Sequence, residues 1–255
     1  RGVSDDAQRT LDPAAFVAED IRYGIEGFAQ KFRELNEGGQ LRKLLRETRT
    51  LTGAPIEQAP EVFTEQYLIE PVLHGLGYLN PISEDYDSAS PHFIRRPITY
   101  EKVEPRQPDY LLKNIPAADD APGVVCIVEA KAANREQPTG SKQDATKDIR
   151  EYLDEDTFCK YLRDIDQRYL AGIGTDGLRW TLWMKDLETG EVKQDHPKVD
   201  ISSVVENEAK RLDTIEGEVA AGRASDRNVL TDEFVPAFAA TNLSSHIIDS
   251  FADSQ

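Results

Sequence analysis

The chain has 255 residues, with 47 Asp and Glu against 30 Lys and Arg, for a formal net charge of −17. That charge excludes a generally basic nucleic-acid coat, and no apolar run approaches the roughly 18 residues of a membrane span. A hydrophobic fraction of 39% suffices for a core, while two cysteines, Cys126 and Cys159, exclude a disulfide scaffold or a four-cysteine zinc site.

From residue 12 to 47, Phe16, Ile21, Ile25, Phe28, Phe32 and Leu35 recur at helical spacing, and Leu41, Leu44 and Leu45 follow Gly38-Gly39. This predicts two helices, the first capped by Asp12-Pro13 and ended by the glycine pair. A third helix begins near Thr64, with Tyr67, Leu68, Val72, Leu73 and Leu76 on one stripe and Gly77 as its C-cap. Residues 80–108 carry loop chemistry, with one short strand at Phe93-Ile94.

Strands are predicted at Asp109–Leu112 and Val124–Lys131, neighbours across an Ala/Asp/Pro/Gly loop. Residues 144–161 have helical spacing through Ile149, Tyr152, Leu153 and Phe158. Residues 169–174 and 178–183 then flank Thr175-Asp176-Gly177, a hairpin turn in which the glycine supplies positive φ. The tail from Ser202 reads as helical and acidic. We expect an α/β fold with a mixed central sheet flanked by helices, divided as a helical extension over 1–60, a core over 61–200 and a second acidic helical extension over 201–255.

The informative pattern is Pro108-Asp109 followed, twenty residues on, by Glu129-Ala130-Lys131 at a strand end. Strand side chains alternate faces, so Glu129 and Lys131 point the same way. If the Asp109 strand pairs with this one, two carboxylates meet beside an amine. Hard oxygen donors so placed suit Mg²⁺, for which Mn²⁺ can substitute, and the amine can orient a water or help deprotonate it for attack on a phosphodiester. Arg95, Arg96, Lys102 and Arg106 precede Asp109 and are candidate nucleic-acid phosphate contacts. The four histidines have no metal spacing, Trp180 and Trp183 read as packing residues, and Cys126 as a buried thiol. No Walker loop, GxGxxG or nucleophile elbow is present.

Asp, then Glu-x-Lys on a second strand, resembles the PD-(D/E)XK nuclease superfamily. The segment from Thr64 to Tyr78 is similar to the opening helix of nuclease domains in type I and type IIG restriction enzymes, and Gly172–Trp180 to their "T-(N/D)-G-x-x-W" hairpin. The resemblance spans Thr64 to Trp183, about half the chain. It implies a restriction-endonuclease-like core in which Asp109, Glu129 and Glu65 hold the metal, with Glu70 as the fallback for Glu65, and Lys131 is the catalytic lysine. It departs at Asp148-Ile149-Arg150-Glu151-Tyr152, where Asp148 replaces the usual Gln and is expected to face solvent.

The expected activity is Mg²⁺-dependent endonucleolytic cleavage of double-stranded DNA by a cytoplasmic restriction-modification or related defence enzyme. Methyltransferase, translocase or specificity parts would lie elsewhere, and duplex cleavage invites dimerisation on DNA. The competing expectation is a non-catalytic DNA-binding or assembly module; an enzyme for RNA or branched DNA fits the same triad, which addresses only phosphate. The acidic composition, with more Arg than Lys and a mean hydropathy of −0.55, resembles that of proteins from salt-loving archaea.

Overall fold

The computed structural model describes residues 13–47, 49–97, 107–134, 145–219 and 229–252, with only the backbone given at 196–198. Two antiparallel pairings lead from β1 (His92–Arg95) to β2 (Tyr110–Lys113) to β3 (Gly123–Ala130). β3 runs parallel to β4 (Gln167–Thr175), and β5 (Arg179–Asp186) and β6 (Val192–Asp200) complete the sheet in sequence order, each antiparallel to its predecessor. The chain is therefore α/β with a mixed sheet.

The parallel step from β3 to β4 requires a crossover, which two helices provide: α5 (Ala145–Asp154) and α6 (Asp156–Asp164). The single helix expected over 144–161 is broken because the Glu155 side chain accepts from Thr157 N–H at 3.0 Å and so caps α6. Alternation along β3 sends Val125 and Ile127 towards Ile149, Leu153 and Phe158 of these helices, and Cys126, Val128 and Ala130 into the opposite core. Gly172 of β4 lets α5 approach closely, since a Cβ there would lie 2.4 Å from Ile149.

The other face is covered by α1 (Pro13–Glu34), α2 (Gly38–Arg46), a short α3 (Gly53–Ile56), α4 (60–75), α7 (Ser202–Arg211), α8 (229–238) and α9 (Leu243–Ala252). Phe28 and Phe32 of α1 meet Phe63 of α4 with ring centroids 6.1 and 5.4 Å away, and Phe234 and Phe238 of α8 lie 5.2 and 6.0 Å from Trp180. The segments expected as extensions thus contribute to one continuous core with the sheet. Trp180 is fully buried, as its packing role requires, and both cysteines are buried free thiols.

Three local differences from expectation have physical causes. The first helix ends at Glu34, with Asn36 just beyond it at a left-handed φ of 57° that stops its continuation, and Gly38 and Gly39 open α2 instead. Asp12 lies outside the described residues. The third helix starts earlier, at Pro60, because proline suits a first helical position, and it contains one π-helical turn, Glu65–Ile69. β6 is rich in charge and contains Pro197, a composition that only an edge strand accommodates. No helix among the described residues is long and apolar enough to cross a membrane.

Candidate active site

Pairing of β2 with β3 puts Tyr110 opposite Val128, so Asp109 and Glu129 lie one step beyond that pair, on the sheet face that carries Leu111 and Ile127. The Ala130 N–H donates to Asp109 Oδ2 at 2.8 Å and fixes that carboxylate across the strand gap. Lys131 leaves the end of β3 with its N–H donating to Thr175 O at 2.9 Å. Its Nζ lies 2.9 Å from Asp148 Oδ2 on α5 and 3.8 Å from Glu129 Oε2.

Helix α4 is tied to this strand end. Thr64 Oγ1 accepts from Ala133 N–H at 2.9 Å while donating to Pro60 O at 2.8 Å. The tie carries Glu61 and Glu65, one helical turn apart, to Asp109, and one oxygen from each of the three lies within 4.8 Å of the others. The hairpin closes the arrangement from beneath. Gly177, at φ +80°, packs so tightly on α4 that a Cβ would meet Leu68 at 2.5 Å. Asp176 accepts from the N–H groups of Leu178 and Arg179 at 3.0 and 2.8 Å, and Arg179 donates to Asn134 O.

Such crowding of carboxylates is costly without a compensating cation. Burial, the charge of Asp109 and a hydrogen bond to it push Glu129 up to about 9, against the attraction of Lys131. Burial, then Asp109 and Glu61, raise Glu65 to about 7, and burial raises Glu61 as well. Burial opposes the charge on Lys131, but its bond to Asp148 and the surrounding carboxylates outweigh burial and raise its pKa. Glu65 Oε1 and Glu129 Oε1 are buried with no hydrogen-bond partner among the described residues. Orphaned hard oxygens in an anionic cluster fit Mg²⁺ or Mn²⁺, whose positive charge would replace the protons the carboxylates otherwise retain.

Asp109 therefore meets Glu65, and with Glu61 these form the group close enough to share one cation, whereas Glu129, expected as a third ligand with Asp109 and Glu65, lies outside that group and joins Asp109, Lys131 and Asp148 on its other side. The expectation of a solvent-facing Asp148 is corrected: it is 8% exposed and pairs with Lys131, because α5 is drawn onto β4. Glu70 does not stand in for Glu65. Its carboxylate accepts from the Arg95 guanidinium through both oxygens and from Tyr110 Oη at 3.1 Å, which also commits Arg95 to an intramolecular pair. Arg96 stays near the cluster, where its charge lowers the pKa of Glu61 and Glu65. Lys102 and Arg106 lie outside the described residues. Trp183 is half-buried beneath the Arg150 guanidinium at 5.4 Å.

Comparison with protein-family models, characterised sequences and solved structures gives no match for this chain.

Two results follow from the cluster. Glu61→Gln and Glu65→Gln should each weaken Mn²⁺ binding by at least the roughly 10- to 100-fold that even outer-sphere partners of a metal are worth, measured by titration calorimetry. Equal affinity in both variants would exclude α4 from the metal centre. Affinity should also climb from pH 6 to pH 9. In the metal-free protein Glu65 and Glu129 titrate near 7 and 9, so a cation binding at neutral pH must release protons, and at pH 9 it releases fewer. Calorimetry in buffers of different ionisation enthalpy counts those protons.

Proposed function

We propose that this protein is a Mg²⁺-dependent endodeoxyribonuclease with a restriction-endonuclease-like core. The observation that carries this reading is the Lys131 amine held between Asp148 and Glu129 at the rim of the Glu61, Glu65 and Asp109 oxygens. When bound there, Mg²⁺ would supply Lewis-acid stabilisation of charge on the scissile phosphate. Glu61, Glu65 and Asp109 would hold it, with Glu129 hydrogen-bonded to Asp109 beside them.

The chain's own groups do the rest. Asp109, fixed by Ala130 N–H, sets the position of the cluster relative to the strand end. Lys131, kept protonated by its carboxylate neighbours, presents N–H donors to a phosphate oxygen or to the attacking water, a role that needs a cation more than a base. Asp148 and Glu129 restrict the amine to one region, so little reorganisation accompanies reaction. Nothing in the cluster addresses bases, so choice of target sequence would fall to other surfaces, domains or subunits.

The deciding experiment is incubation with supercoiled plasmid and Mg²⁺ or Mn²⁺ at low and molar KCl. Metal-dependent nicking is the expected result, and its rise with KCl would extend the halophilic composition to activity. Tight DNA binding without strand breaks under any salt would replace this reading with the non-catalytic module.

A further inference from the structure

Apart from the cluster, the described surface has one feature at odds with a protein of net charge −17: a cleft of about 570 Å³ beside α2 in which three cations converge. Arg42 and Lys43 of α2 line it together with Gln40, Arg49, Thr50 and Thr52. All three cationic side chains are exposed, because Leu41, Leu44 and Leu45 take the buried face of α2. Among the described residues, neither Arg42 nor Lys43 has a carboxylate at ion-pair distance. Arg49 has only the exposed Glu47 at 3.7 Å, a pair of little energetic weight, and Glu37 is the one carboxylate in the cleft lining.

The cleft is joined to the candidate active site by hydrogen bonds. Gln40 Oε1 accepts from Thr52 N–H at 2.8 Å and from Thr52 Oγ1 at 3.0 Å, clipping α2 to the segment that follows it. That segment pairs with the strand end: Leu51 N–H donates to Ala133 O at 3.0 Å, and Asn134 Nδ2 donates to Thr50 Oγ1 at 3.0 Å. Asn134 is three residues beyond Lys131, roughly 10 Å at the rise of an extended chain. A DNA strand advances about 3.4 Å per phosphate along its axis, so the cleft lies roughly three nucleotides from a phosphate at Lys131.

We propose that this cleft is the track for the DNA phosphate backbone, with Arg42, Lys43 and Arg49 neutralising phosphates next to the one held at the metal cluster. The proposal rests on the nuclease reading. It also moves the main backbone contact away from the loop before Asp109, where Arg95 is already engaged by Glu70. In a strongly anionic molecule, exposed cations gathered in one cleft with little carboxylate compensation among the described residues mark where a polyanion can approach, and Gln40, Thr50 and Thr52 offer the neutral polar groups that commonly accompany phosphate contacts.

The test compares two double variants with equal loss of charge: Arg42→Gln/Lys43→Gln, and Lys113→Gln/Lys160→Gln at exposed positions elsewhere. Binding of a labelled 20-base-pair duplex is measured by anisotropy in EDTA from 50 to 400 mM KCl, with melting temperature as a folding control. Each phosphate contact contributes about 0.9 to the slope of log K against log salt, so the α2 variant should lose about 1.8 of slope. By the same relation its binding at 0.1 M salt should weaken roughly 60-fold, while the control pair stays near the parent protein. In the parent protein, bound duplex should also protect Lys43 from acetylation, a reading that needs no variant.

Equal effects from both pairs, or an unprotected Lys43, would overturn the track even if Mn²⁺-dependent cleavage is observed and the nuclease reading stands. Loss of binding confined to the α2 pair, with no cleavage by the parent protein, would keep the track and remove the nuclease. A parent protein that binds no duplex at any salt overturns the track, and plasmid nicking with Mn²⁺ then decides the nuclease reading by itself.

Discussion

Lys131→Arg should fold, bind Mn²⁺ and fail to cut, with single-turnover nicking reduced about 10²- to 10³-fold, the range that loss of one preorganised donor costs. The charge is retained but the geometry is not. Lys131 Nζ is a compact donor 2.9 Å from Asp148 and 3.8 Å from Glu129, and a planar guanidinium on a longer reach cannot occupy the same point. Lys131→Met should lose cutting as well and also lose stability with a particular pH dependence. Without the amine, Glu129, Asp148 and Asp109 face one another uncompensated, so protonation relieves them and the melting temperature should fall further at pH 8 than at pH 6. Nicking by Lys131→Arg at the parental rate would sink the assignment of this lysine. A deficit in Mn²⁺ affinity as large as the deficit in rate would make it a metal-site scaffold instead.

The strand pair and the hairpin were legible because each depends on local chemistry. Apolar runs of strand length bracket Asp109 and Glu129, and Asp176-Gly177 encodes a turn that glycine alone makes without strain. Proximity of Glu129 to Lys131 needed only the period of two. Glu61 was not legible for the opposite reason: an acidic residue just inside a helix start is what the helix dipole favours anywhere, and nothing local shows that α4 is drawn towards Asp109 by a bond between Thr64 and Ala133. The choice between Glu65 and Glu70 turns on a π-helical turn that shifts side-chain phase, and on an arginine 25 residues further along the chain.

Asp148 shows the same limit from another side. Its helix reads as amphipathic with Asp148 at the margin, yet the contact of Ile149 with Gly172 brings that margin against the strand end. The cationic face of α2 carries no local signal of a role, since its relation to Lys131 passes through Thr50 and Asn134, 84 residues apart. What the sequence hides in each case is long-range contact, and the candidate site is built from such contacts.

The largest expected loss of stability lies beneath the site rather than in it. Arg179→Met should destabilise the fold by about 3–5 kcal/mol, the cost of removing one partner from a buried ion pair. At roughly 2–4 °C per kcal/mol for a chain near this size, the melting temperature should drop by about 10 °C. Asp176 is fully buried, and burial holds it near 7 even with the Arg179 guanidinium 3.3 Å away and two backbone N–H donors. Its folded pKa exceeds the ordinary value, so its contribution to stability declines as pH rises from about 4 to about 7. Removing Arg179 raises that pKa further, and the deficit of the variant should therefore be larger at pH 8 than at pH 5. Adding Asp176→Asn to Arg179→Met should recover part of the loss, with a coupling of about 0.5–3 kcal/mol between the two positions in a double-mutant cycle. Additive losses would mean that the pair is not the source of the stability. Because Arg179 also donates to Asn134 O and Thr175 O receives Lys131 N–H, the same variant should cut DNA more slowly at temperatures where it remains folded. The hairpin would then act on catalysis only through the position of the strand end that carries Lys131, and its effect on nicking should vanish in the Lys131→Arg background.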